Sequence, residues 1–377
     1  MKDGGGSPQY PQGRVSWLEA AGILTVFTID KVFLVYPQGV AKQGMTAGWV
    51  IPVAAGLMSA AWLGLLVVVL RNHPGKNIVE IARSLAGPYV AAAAGIVTYL
   101  FILGVSATLG RETVSALITV ILPLTPADFM LAVGILLAVY IAHHGMEVVG
   151  RLSVFVGVMT IAGVVVLVLL STRLWDPDLM FPLLGPGIVP LAKASAVRQS
   201  AYAELLGIGF VAAYLRDPKK DIARAATWSL GATIFALSIT VLTVTMVFPF
   251  AALVRIPAPF LRVTRFIYFG RFIQRLDSLF VVVWLTAGIT SVVIGIWMSA
   301  LAVASSFSLG SYKPLIVPTG IVGFLVGHFL PDLATVMTID LDVIRPCSLF
   351  LLAAWSVGLF LLDRRRAGGP RVRRRSA

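Results

Sequence analysis

Asp30 and Lys31 sit side by side near the middle of one long apolar stretch, and Glu204 lies inside another, in a chain that is 58% hydrophobic and only 12% charged. A charge at the centre of a membrane span costs at least about 2.5–3.5 kcal/mol, so charge kept there marks a ligand site, an ion pathway or a buried ion pair. A carboxylate such as Glu204 accepts from an ammonium, and Lys31, with the free amides of a broken helix, donates to a carboxylate. Together they suit the two ends of a zwitterion. Neighbouring residues on a regular helix do not face each other. Asp30 and Lys31 therefore neutralise one another only if the backbone unwinds there, unless Lys31 reaches a different acid such as Glu204. Two readings stand: a ligand or proton-coupling site, and a structural ion pair that locks the two stretches together.

Other constellations offer less. His143, His144 and Glu147 have the residue types of a metal site or a general base, but no third ligand lies nearby and they read as a loop at the membrane interface. His73 and His328 are isolated, and Asp277 beside Arg275 reads as an interfacial pair. No nucleophile-elbow, metalloprotease or phosphate-loop pattern occurs, so the expectation is no enzyme, no cofactor and no metal. The single cysteine, Cys347, excludes an intrachain disulfide. The net charge of +13 is scattered over short loops and a basic tail, which fits anionic headgroups rather than nucleic acid.

The elements that position these charges are apolar windows. They run over Trp17–Ala41 (interrupted by Glu19, Asp30 and Lys31), Gln43–Leu70, Ser84–Gly110, Phe129–Ala142, Leu152–Thr172, Gln199–Leu215, Ala225–Val254, Ser278–Tyr312, Pro314–Pro331 and Pro346–Leu362. About 20 apolar residues of helix cross a bilayer, and backbone in lipid must satisfy its own hydrogen bonds. The expected fold is therefore all-α and integral to the membrane, with ten transmembrane helices. The expected layout is a cytoplasmic N-terminal tail over 1–16, a transmembrane region over 17–362 and a basic cytoplasmic tail over 363–377. With the N-terminus inside, 18 of the 30 Lys and Arg residues fall on inside segments, which places both termini in the cytoplasm; five arginines between spans seven and eight run against the bias.

The charged stretches are spans one and six of ten, which correspond in a five-plus-five inverted repeat over about 17–172 and 199–362. Transporters of that design bind ligand where paired helices are broken near the midplane. Pro37 follows the charges in span one, and Gly207 and Gly209 follow Glu204 in span six, so both spans are expected to break. The glycines have a plainer reading as small residues that let helices pack closely.

Several stretches resemble one known family, the B-subunit permeases of spore germinant receptors, a branch of the amino acid–polyamine–organocation superfamily. They are Phe272–Trp284 at the entry to span eight, Phe181–Pro190 before span six, Glu204 followed by the basic turn Arg216–Lys220, His73–Lys76 with Glu80 and Gly87, and Tyr36–Trp49. The similarity runs from about Val15 to Arg366. The chain departs from the family at Asp30-Lys31-Val32, where a glycine and small-residue turn is common, and at Gln274, where an acid is frequent. The resemblance implies a LeuT-like fold and a small nutrient germinant, an amino acid above all, as ligand. It also implies partnership with an A subunit and a lipoprotein C subunit in the inner membrane of a spore. The alternative within the superfamily is a proton-coupled amino acid transporter. The ligand cavity is expected between spans one, three, six and eight, lined by Asp30, Lys31, Val32, Tyr99, Tyr202, Glu204, Gly207, Thr286 and Thr290.

Overall fold

The computed structural model describes residues 13–33, 36–256, 258–269, 273–274 and 277–368. The chain enters helix α1 (Trp17–Ile29) through a capping box, in which Ser16 Oγ accepts the Glu19 amide and the Glu19 carboxylate accepts the Ser16 amide at 2.7 Å. Glu19 thus satisfies a free amide at the helix start, in the first turn of the span. The helix gives way at Asp30–Phe33 to a tighter 3-10 turn, and the segment resumes as α2 (Tyr36–Gly44). There follow α3 (Val50–Asn72), the short amphipathic α4 (Ile78–Ala86), α5 (Pro88–Val120), α6 (Ala127–His143) and α7 (Met146–Ser171). Gly145 turns the chain from α6 into α7 at φ +95°, a conformation that residues with a Cβ rarely adopt.

The second half repeats the pattern. Helix α8 (Ile188–Arg198) passes into a 3-10 segment, Gln199–Gly207, then one turn of α9 (Ile208–Val211) and a last 3-10 turn, Ala212–Tyr214. After it come α10 (Pro218–Val247), the short α11 (Phe250–Leu253) and α12 (Pro259–Phe266), and a ladder of two two-residue strands, β1 (Tyr268–Phe269) and β2 (Ile273–Gln274). Then follow α13 (Asp277–Ser306), α14 (Lys313–His328) and α15 (Leu333–Ile339). A π turn at Asp340–Ile344 joins α15 to α16 (Arg345–Gly368). Among the described residues six helices are long and apolar enough to cross a membrane, and Trp17–Ile29, Ala127–His143 and Lys313–His328 are shorter apolar helices. The spans expected to break, one and six, are both interrupted.

Packing exposes the pseudo-symmetry. Helix α1 packs on α7, the last helix of its half, as the 3-10 segment Gln199–Gly207 packs on α16. Helix α1 also packs on α10 of the other half, as α8 packs on α3, and α6 packs on α13 as α14 packs on α5. The tightest contact is α5 against α13, antiparallel along a seam of small residues. A Cβ on Gly95 would lie 2.0 Å from Ser306 Oγ, one on Gly295 1.6 Å from Ser106 Oγ, and one on Gly288 2.5 Å from Thr113 Oγ1. Helices in lipid gain little from hydrophobic exclusion between them, so close van der Waals approach through small residues supplies the adhesion. Gly22 does the same for α1, where a Cβ would meet the Val154 amide nitrogen of α7 at 2.9 Å.

Several windows were shorter than the helices. Span three ends by composition at Gly110, yet α5 continues through Arg111 and Glu112 to Val120. Span six starts by composition at Gln199, yet α8 already carries Lys193 and Arg198. Span ten starts by composition at Pro346, yet the helical segment begins at Leu333 and takes in Asp340, Asp342 and Arg345. An uncharged window ends wherever charge begins; these helices carry charge, most of it paired or hydrogen-bonded.

Candidate functional site

The breaks in spans one and six face each other. The 3-10 turn after α1 brings Lys31 Nζ to 2.7 Å from Glu204 Oε2, and the same ammonium donates to the Ala201 carbonyl at 2.7 Å. From the second half, Arg345 Nη1 donates to the other Glu204 oxygen, Oε1, at 2.7 Å. The rest of the Arg345 fork is held by Asp340: Nε lies 3.0 and 2.9 Å from its two carboxylate oxygens and Nη2 lies 2.8 Å from Oδ1. Asp340 and Arg345 are five residues apart, a separation that the π turn between them brings onto one face. The result is an ion quartet, Lys31–Glu204–Arg345–Asp340, with two cations and two carboxylates. Glu204 is 1% exposed, Lys31 and Arg345 each 8%. Buried charges of this kind persist only when paired and hydrogen-bonded.

Hydrogen bonds tie the segments on either side of this centre. On one side Arg198, the last residue of α8, donates to Gln43 Oε1 at 2.7 Å and to the Gly39 carbonyl at 3.1 Å, so α8 is tied to α2. Trp62 of α3 donates to Gln199 beside it at 2.8 Å. On the other side Val15 and Leu215 form a parallel bridge, with the Val15 amide on the Tyr214 carbonyl at 2.9 Å and the Arg216 amide on the Val15 carbonyl at 3.2 Å. The start of span one is therefore zipped to the end of span six.

The expected site residues are placed as follows. Asp30, Lys31 and Glu204 come together. Asp30 is 4% exposed, and its Oδ1 has no hydrogen-bond partner. Val32 lies in the same 3-10 turn, and its side chain falls outside the described residues. Tyr202 is fully buried and donates its hydroxyl to the Pro52 carbonyl of α3 at 2.6 Å. Tyr99 is half-buried on α5, next to Thr98, whose hydroxyl takes the Trp355 indole N–H at 2.8 Å. Thr286 and Thr290 donate along their own helix, to Val282 and Thr286 carbonyls at 2.7 Å each. Gly207 is a close-packing position: a Cβ there would lie 2.7 Å from Met298 Cε and 3.3 Å from Leu24 Cδ2.

Four groups were missed from the sequence. Arg345 and Asp340 bring span ten into a site expected among spans one, three, six and eight. Glu112 lies on α5, which packs against the π turn that carries Asp340. Ser291, rather than Thr290, crosses from α13 to the Val26 carbonyl of α1, at 3.2 Å. Among the weaker constellations, His144 Nδ1 bonds the Tyr140 carbonyl of its own helix at 2.8 Å, and Glu80 closes the capping box of α4 with Asn77. The side chains of Arg275 and Asp277 fall outside the described residues.

Two inverted halves whose first spans both break at a shared charged centre define a permease of the LeuT-like class. A nucleobase-cation-symport-1 family transporter, Mhp1, in a closed conformation with bromovinylhydantoin bound, superposes with a TM-score of 0.68 over 97% of this chain and 82% of its own, at 17% identity. A Na+-coupled sialic acid symporter in a substrate-bound outward-open state also gives 0.68, over 93% of this chain and 78% of its own, at 13% identity. At such identities the likeness is one of fold.

Within that class the chain belongs to the spore germination protein family, whose model matches residues 14–358. It is 23% identical over 306 residues to spore germination protein A2 of Bacillus subtilis, covering 78% of this chain and 80% of that protein. It is 20% identical over 367 residues to spore germination protein YndE of the same organism, covering 96% and 99%. The protein is thus a multi-pass membrane permease of the spore germination family.

Proposed function

We propose that this protein is the membrane subunit of a spore germinant receptor, that it binds a small nutrient between the breaks of spans one and six, and that binding opens the ion quartet. The observation that carries this reading is the quartet's charge balance. A zwitterionic amino acid brings one ammonium and one carboxylate; the ammonium replaces a cation on Glu204, and the carboxylate replaces Glu204 on Lys31 or Arg345. The exchange leaves no net charge behind, which keeps the desolvation cost low. Asp30, Lys31 and Glu204 are the proposed first contacts, with the backbone at Val32 and the positions Tyr99, Tyr202, Gly207, Thr286 and Thr290 around them.

Release of the Lys31–Glu204 contact loosens span one from span six at their breaks, a change that partner subunits read as a coupling free energy between distinct sites. The family resemblance supports an A-type subunit and a lipoprotein C-type subunit as those partners and the inner membrane of the spore as the location, and the Lys and Arg bias supports cytoplasmic termini. A second reading is a proton-coupled amino acid transporter, favoured by the transporter fold.

Purified chain in nanodiscs, screened by thermal shift against the common amino acids, tests ligand binding; a panel with no stabilising amino acid in the wild type contradicts it. Uptake of a binding amino acid into proteoliposomes under a pH gradient separates the two readings, since a sensor binds without accumulating ligand.

A further inference from the structure

The carboxyls around the site outnumber the cations. Lys31 and Arg345 are committed to Glu204 and Asp340 at 2.7 and 2.8 Å. That leaves Asp30 and Glu112, and among the described residues neither has an ion-pair or hydrogen-bond partner. The next cation, Arg198, is within the field of Asp340 and Arg345 but spends its guanidinium on Gln43 and Gly39. With Arg198 included, four carboxyls still face three cations. Asp30 is 4% exposed and its Oδ1 is sealed from solvent without a donor. An isolated carboxylate in such a place neutralises by taking up a proton rather than bear the cost of burial.

The backbone adds to this. Asp30 follows the C-terminal end of α1, where unpaired carbonyls present partial negative charge; a carboxylate is disfavoured there and a cation such as Lys31 is favoured. Glu112 lies on α5, which packs against the π turn Asp340–Ile344. A metal ion at Asp30 would be repelled by the adjacent Lys31 ammonium, whereas a proton on the carboxyl leaves a neutral group.

We propose that Asp30, beside the closed ion quartet, is a proton-binding site that holds a proton while Lys31 grips Glu204 and releases it to water when Lys31 lets go. In the step, Lys31 loses its carboxylate partner on Glu204, the Asp30 O–H bond breaks, the proton leaves to water, and the resulting carboxylate becomes the counter-ion of the freed ammonium. The site serves a receptor or a transporter equally; the step rests on the opening of the quartet proposed above, in the arrangement where the ligand carboxylate goes to Arg345 and leaves the Lys31 ammonium free.

Infrared spectra of the full-length protein in nanodiscs, recorded across pH for the wild type, Asp30→Asn, Glu112→Gln and the double variant, test it. The expected result is a protonated-carboxyl carbonyl band in the wild type at neutral pH that Asp30→Asn removes, that Glu112→Gln retains, and that fades as pH rises. Asn is the neutral isostere of the loaded state, so Asp30→Asn is expected to fold and to keep its thermal stability at alkaline pH, where the wild type loses some. A wild-type band unaltered by Asp30→Asn, a band that responds to sodium or potassium at fixed pH, or an Asp30→Asn chain that fails to fold would each overturn the proposal.

Discussion

Arg345 reaches Glu204 across 141 residues of sequence and meets it at 2.7 Å, so that the tenth span and the sixth share one carboxylate. Lys31 holds the other oxygen of that carboxylate. The two contacts make Glu204 the joint between the halves, and they rank the consequences of substitution. Glu204→Gln leaves Lys31 without a carboxylate and deprives Arg345 of one of two, and is expected to cost about 3–5 kcal/mol of stability. Lys31→Met is milder, because Arg345 still pairs Glu204. The Lys31→Met, Glu204→Gln double variant is expected to be more stable than Glu204→Gln alone, which thermal unfolding of the detergent-purified proteins measures.

Arg345→Lys tests geometry apart from charge. The guanidinium spans Asp340 and Glu204 at once through three nitrogens, which a single ammonium cannot do. Lysine is expected to keep one partner and lose the other, lowering the unfolding temperature despite the conserved charge. An unchanged unfolding temperature would mean that the fork contributes nothing.

The seam between α5 and α13 gives a contrast among glycines. Gly295→Ala drives a methyl to within 1.6 Å of the Ser106 hydroxyl, while a Cβ on Gly104 of α5 meets nothing within 4 Å. Gly295→Ala is expected to destabilise by about 1–3 kcal/mol through overpacking, and Gly104→Ala to be neutral or slightly stabilising through its better helix propensity. Equal unfolding temperatures for the two variants would refute the close approach.

The helices were legible because apolar length is nearly sufficient to define a span, and the breaks were legible because charge in spans one and six stood out against it. Arg345 and Asp340 were not. On a regular helix residues five apart point in different directions, so the pair reads as two unmatched charges outside the membrane; the π turn that aligns them has no composition signature. Glu112 was hidden by its neighbour Arg111, whose pairing with Asp128 at 3.4 Å and the Pro331 carbonyl at 2.9 Å belongs to the end of the helix. Gly207 shows the converse: it reads as a helix breaker beside a site, and it meets Met298 and Leu24 as a small residue between packed helices.

Asn77 is buried completely, caps α4 through its own side chain and donates to Ser305 Oγ at 2.8 Å. It anchors the amphipathic α4 to the end of α13. Asn77→Ala is expected to cost about 1–2 kcal/mol and to increase hydrogen exchange over residues 78–86 before any other helix. Exchange unchanged in that stretch would contradict the anchoring role.

The response of spores to nutrient tests the central claim most directly. Spores whose only copy of this chain carries Glu204→Gln, or Lys31→Met with Glu204→Gln, would be challenged with amino acids, with the amount of chain in the spore membrane measured in parallel. The quartet account predicts at least a tenfold loss of sensitivity to the nutrient per molecule of chain present, about 1.4 kcal/mol or more of lost coupling. A wild-type response at wild-type nutrient concentration from either variant would show that the joint at Glu204 does not sense the ligand.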